Sequence, residues 1–132
     1  MQKRFGVSLE ENILRKLDEM VKANKFSNRS QAIRFLFSKY EVQEKWENNM
    51  PVAGAIVIVY DHHKRDLTNK LLIVQHDFHE LILSVQHVHM DHRNCLESIA
   101  VKGKASELQQ LADRLIGLKG IKHGKLVMTV FE

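Results

Sequence analysis

Apolar and polar positions change period along the chain, from two to roughly three and a half and back again. In "RFGVSL" (4–9), Phe5, Val7 and Leu9 alternate with Arg4, Gly6 and Ser8, as in a strand with one buried face. "EENILRKLDEMVKAN" follows, with Ile13, Leu14, Leu17, Met20 and Val21 at helical spacing behind an acidic first turn. "SNRSQAIRFLFSKYEVQEKW" then repeats Ile33, Leu36, Phe37 and Tyr40 on one stripe, with Ser27 or Asn28 as its N-cap. A lone strand ahead of two helices cannot close a core. The expected solution is a dimer in which two copies pair their strands antiparallel and pack the apolar side of that ribbon on the helices. Arg4, Gly6 and Ser8 would then point outward in duplicate.

After residue 52 the pattern alternates between elements. "AGAIVIVYD" (53–61) is a β-branched run, and "KRDLTNKLLIVQHDF" (64–78) is helical. "HELILSVQHVHM" (79–90) alternates strictly, with Leu81, Leu83, Val85, His87 and His89 on one face, and "CLESIAVKG" (95–103) is a further strand. "SELQQLADRLIGLKG" (106–120) carries Leu108, Leu111, Ala112, Leu115 and Ile116 at helical spacing, with Ser106 as N-cap and Gly120 as stop. "IKHGKLVMTVF" closes as a strand. The order β-α-β-β-α-β is ferredoxin-like, so the predicted class is α+β, a β-α-α segment followed by that fold. Between the two lies "ENNMPVAG" (47–54) with the only proline, which sets the expected boundary: residues 1–48 form one domain and 53–132 the other.

Charge and composition sharpen the division. Residues 1–40 hold nine basic residues and four acids, nine minus four giving +5, more than the +4 of the whole chain. Such an excess suits a polyanion. A two-stranded ribbon fits the major groove of B-DNA, where Arg4 can pair with guanine and Ser8 can contact several base edges. The N–H groups opening the second helix, at Asn28, Arg29 and Ser30, suit a phosphate. No run of about 18 apolar residues and no signal-peptide core is present, so a cytoplasmic protein without a membrane partner is expected.

All eight histidines, and the single cysteine, fall in the C-terminal part. His87 and His89 share a strand face, and a short turn, "MDHRN", returns the chain to Cys95 on the antiparallel neighbour, so three donors can reach one ion. Imidazole with thiolate suits zinc, copper or nickel rather than magnesium or calcium. A fourth donor is needed; His76 is the first candidate, with His79 behind it, and spacing leaves open whether it comes from the same chain. His62, His63 and His123 are expected at the surface or behind the ligands, and His92 in the turn. A catalytic Cys–His pair would also need an orienting group and an oxyanion hole that the sequence does not announce, and four protein ligands leave no open position, so no enzyme is expected.

"RFGVSL" with "SNRSQAIR" resembles the ribbon-helix-helix repressors. Joined to β-α-β-β-α-β, "QH" near the end of the first helix of that fold, "YDHHKRDL", "HVHxxHxxC" and "CLESIAVKG", the whole chain resembles the nickel-responsive transcriptional regulator family. The resemblance implies an ACT-type C-terminal domain, a homotetramer built as a dimer of dimers, and one square-planar nickel ion per subunit. His87, His89 and Cys95 would come from one subunit and His76 from its neighbour. It further implies a metal-dependent repressor that binds double-stranded operator DNA to control metal-uptake genes. Two departures stand out. Many relatives carry a hydroxyl residue at the position of Gly6. Relatives also often carry acids at the positions of Gln31 and Phe35, where they help bind a weaker cation that is not expected here. Rival readings are an antitoxin-like interaction protein, which the full periodicity of residues 53–131 disfavours, and an ACT-type sensor of a small molecule, which would leave the histidines and cysteine unexplained.

Overall fold

The computed structural model describes all residues, Met1–Glu132. The chain divides into two compact units, Met1–Glu41 and Val42–Glu132.

In the first unit, helices α1 (Glu11–Ala23) and α2 (Arg29–Glu47) follow an extended N-terminal segment. Residues 4–9 form no ladder within the chain, since no second segment of this unit lies alongside to exchange hydrogen bonds; the ladder expected of them is with a second copy. Their alternation is nevertheless expressed: Phe5, Val7 and Leu9 line an open apolar groove of about 410 Å³ with Ile13, Leu17 and Leu36. Between the helices Lys25 takes a left-handed conformation at φ 56°. Of the two cap candidates, Asn28 caps α2: its Oδ1 accepts the Gln31 N–H at 2.9 Å, while Gln31 Oε1 reaches back to accept the Ser27 N–H at 2.6 Å.

The boundary between units falls inside α2, ahead of Pro51 at the start of the next strand, because the last helical turn is anchored in the second unit. Trp46 is 9% exposed and its Nε1–H donates to the Thr129 carbonyl at 2.9 Å. Asn49, at φ 54°, ends the helix in the left-handed region that asparagine tolerates.

The second unit contains β1 (Pro51–Asp61), α3 (Arg65–Asp77), a 3-10 turn (His79–Leu81), β2 (Ile82–His89), β3 (Asn94–Lys104), α4 (Ala105–Ile116) and β4 (Ile121–Thr129). The strands form one antiparallel sheet in the order β2-β3-β1-β4, the ferredoxin-like topology expected from the element order. Alternate residues Ile56, Ile58, Ile99 and Val101 are fully buried on one sheet face, with Leu67, Leu71 and Val74 of α3 and Leu108, Leu111 and Leu115 of α4 in the same core. Each such side chain contributes about 1.5–3 kcal/mol by leaving water.

Three local expectations are corrected. Residues 79–90 do not alternate throughout: the first three form the 3-10 turn, and the register shifts between Ile82 and Ser84, so Leu83 is displaced and 65% exposed. Ser106 lies inside α4 and does not cap it; its N–H is instead accepted by Asn49 Oδ1 at 2.8 Å, a cap supplied from the turn after α2. Gly120 does not stop α4, which ends at Ile116. It takes φ 105° in the turn into β4, where a Cβ would stand 3.0 Å from Leu67 Cδ2.

Candidate metal centre

The hairpin of β2 and β3 assembles the site through register alone. His89 pairs with Cys95 and His87 with Glu97, while Cys95 and Glu97 pair on their other side with Tyr60 and Ile58 of β1. Two rows of facing residues therefore run across three strands. The turn is held by Asp91, whose Oδ1 accepts the N–H groups of Arg93 at 2.8 Å and Asn94 at 2.6 Å. Those bonds pull its carboxyl pKa down to about 2.

The Cys95 thiol is buried between the imidazoles: His87 Nε2 lies 3.0 Å from Sγ and His89 Nδ1 3.3 Å from it. Burial, then the nearby carboxylates of Glu97, Asp61 and Asp91, push the thiol pKa up. Without an ion the sulfur is a protonated thiol, and a bound cation would supply the charge that favours thiolate.

Behind His87 stands a carboxylate. Glu97 Oε1 lies 3.4 Å from His87 Nδ1 and accepts the Tyr60 O–H at 3.3 Å, while Oε2 accepts from Gln75 Nε2 at 2.9 Å. Glu97 is 6% exposed with every oxygen partnered. A carboxylate beside Nδ1 favours a proton on that nitrogen, which would leave the Nε2 lone pair facing the sulfur, the tautomer a metal requires. Glu97 was legible in principle, two residues beyond Cys95 on the same strand face. Gln75 and Tyr60 come from elements whose packing no local pattern announces.

His62, expected at the surface or behind the ligands, lies against the cluster: donor atoms of His62, His89 and Cys95 all lie within 4.8 Å of one another. Its N–H donates to the Arg93 carbonyl at 3.1 Å, its Nε2 lies 2.9 Å from the His92 carbonyl, and its ring meets His89 edge-on at 4.8 Å. The pairing of β1 with β3 brings it there. His92 stays in the turn, as expected.

His76 is not brought to this cluster. It lies in the last turn of α3, its carbonyl 2.9 Å from His79 Nδ1 and its ring stacked on that of His79 at 5.8 Å. One chain thus gathers His62, His87, His89 and Cys95. Nitrogen and sulfur donors of this kind fit nickel, copper or zinc, so the residues present suit such an ion.

In the first unit, Arg4, Gly6 and Ser8 are exposed. Asn28 Oδ1 is engaged in capping, and the Arg29 guanidinium forms two bonds to Asp18, Nε to Oδ1 at 2.8 Å and Nη2 to Oδ2 at 3.0 Å. The backbone N–H groups at the start of α2 remain the feature suited to an anion.

These two units define a class: proteins that join a ribbon-helix-helix segment to an ACT-like metal-binding domain. Residues 3–44 match the family described as ribbon-helix-helix protein, copG family, and residues 53–129 match the NikR C-terminal nickel-binding domain. A relative from Chlorobaculum tepidum is 51% identical over 126 residues, covering 96% of this chain and 94% of that one. One from Thermococcus onnurineus is 50% identical over 127 residues, covering 96% and 92%, and one from Syntrophus aciditrophicus is 47% identical over 126 residues, covering 96% and 92%. All three carry the provisional name of nickel-responsive regulator. The chain belongs to the nickel-responsive regulator family. The fold is also shared with an uncharacterised Thermotoga maritima protein of known structure, with a TM-score of 0.54 and 16% identity over 59% of this chain and 96% of that one.

Proposed function

We propose that this chain is a nickel-dependent repressor of metal-uptake genes that binds operator DNA as a homotetramer in the cytoplasm. No helix is long and apolar enough to cross a membrane. Residues 1–48 serve as the DNA-binding and dimerisation domain, and residues 53–132 as the metal-binding and tetramerisation domain. The observation that carries the reading is the pairing of a buried thiol with two imidazoles at 3.0 and 3.3 Å on a hairpin whose supporting carboxylate is fully bonded.

His87, His89 and Cys95 hold the ion from one subunit and His76 completes the site from another, which couples occupancy to assembly. Nickel supplies a positive charge that joins the subunits. Arg4, Gly6 and Ser8 of each strand face the major groove, and the α2 N-terminus at Asn28 and Arg29 meets a phosphate. Ordering at the shared sites biases how the two ribbon dimers reach the half-sites of one palindrome.

Binding to a promoter fragment of a metal-uptake gene, measured with and without stoichiometric Ni(II), tests the switch; equal affinity refutes it. Subunit mixing tests the shared site. His76→Ala and Cys95→Ala proteins should each lack the thiolate-to-metal absorption of the wild type, and a mixture should regain part of it. A mixture that stays silent after proven exchange of subunits refutes sharing.

A further inference from the structure

Glycine at position 6 has no cause inside the protomer. A Cβ added there meets no atom within 4 Å, and Gly120 is the glycine with positive φ, so neither packing nor backbone conformation requires it. Gly54 shows the contrast, since its Cβ would stand 2.6 Å from the Val127 carbonyl oxygen. Gly6 lies between Phe5 and Val7, which line the apolar groove, so it shares the opposite side with Arg4 and Ser8. Glycine also weakens a strand, and nothing local offsets that cost.

Resting on the DNA-binding reading above, we infer that Gly6 is a gap in base readout, leaving an unread position inside each operator half-site between the base pairs contacted by Arg4 and Ser8. Alternate strand residues advance about 6.6 Å, close to two base-pair steps, so a side chain missing at position 6 is not covered by its neighbours. Arg4 offers a fork that matches guanine and Ser8 offers a hydroxyl, whereas Gly6 presents neither donor, acceptor nor methyl group. Wrong bases opposite Arg4 should lower affinity about 5- to 100-fold, while all four bases opposite Gly6 should bind within about 2-fold. The open space around Gly6 means a larger side chain can be added without disturbing the protomer.

The test is selection from a randomised operator library with the full-length nickel-loaded protein, followed by affinities for single-base-pair variants. Wild type should show strongly selected pairs flanking an interior pair without preference. Gly6→Thr should create a preference of about 5-fold or more at that pair and leave the flanking preferences in place. Wild-type binding with every interior pair strongly selected, or a folded Gly6→Thr protein with no new preference, overturns the inference alone. Should Gly6→Thr fail to fold, the wild-type profile decides by itself. A wild type that selects no sequence overturns the DNA-binding reading, and this inference with it.

Discussion

His87 and Glu97 face each other across adjacent strands, Nδ1 3.4 Å from Oε1, with the opposite ring nitrogen of His87 3.0 Å from the Cys95 sulfur. A carboxylate beside Nδ1 favours the tautomer whose free lone pair is on Nε2, the nitrogen nearer the sulfur. Gln75 and Tyr60 fix the carboxylate in turn. Glu97→Gln keeps the shape but removes the charge beside Nδ1. Metal affinity, read by competition with a chelator, should fall about 10- to 100-fold while the metal-free fold persists. An affinity equal to wild type would show that the carboxylate only fills the core.

Arg29 raises a separate question, because its guanidinium is committed to Asp18 of α1. The ion pair lowers the Asp18 pKa, through its hydrogen bonds first, and raises that of Arg29. Both partners are about half exposed, so the pair orients the start of α2 more than it stabilises the fold. Arg29→Ala and Asp18→Ala should then weaken operator binding to a similar degree, and the double variant no more than either alone. Loss in Arg29→Ala only would instead assign Arg29 a direct phosphate contact, which the salt dependence of binding would also register.

Trp46 ties the last turn of α2 to the end of β4. Trp46→Phe keeps most of the buried ring and leaves the Thr129 carbonyl without its donor, a cost of about 1 kcal/mol. Trp46→Ala also empties a core position and should cost about 3–5 kcal/mol. Urea unfolding of the metal-free protein checks both. Equal losses in the two variants would mean the indole is held by its hydrogen bond and not by packing.

Legibility in the sequence followed the range of the interactions. Period-two and helical spacing are local, so the β-α-β-β-α-β order and the neighbouring donors His87, His89 and Cys95 could be read directly. Strand pairing is not local. His62 reaches the cluster because β1 pairs with β3, and Gln75 meets Glu97 because α3 packs on that sheet face. The bulge at Leu83 and the capping of Ser106 by Asn49 likewise depend on segments that meet only in the folded chain. The strand at residues 4–9 is legible as alternation alone, since a ladder needs a partner outside the unit.

Buried protonated groups at the centre set the alkaline behaviour of the metal-free protein. Burial, followed by repulsion from nearby carboxylates, raises the Cys95 pKa, and burial followed by Glu97 raises that of Tyr60. Both groups are neutral at pH 7 in the folded and unfolded chains. A raised folded pKa contributes stability that is complete below the unfolded value, about 8.5 for cysteine and about 10 for tyrosine, and is lost as pH rises through the folded value. Chelator-treated protein should therefore lose thermal stability progressively above about pH 8.5. Cys95→Ala, which cannot titrate, should hold its melting temperature to about pH 10, where Tyr60 begins to ionise on unfolding. Nickel held through Cys95, as proposed, should reverse the trend, because such binding takes the thiolate and releases its proton, so affinity should rise with pH across the neutral range. Parallel melting curves for wild type and Cys95→Ala from pH 7 to about 10 would show that the thiol carries no such penalty.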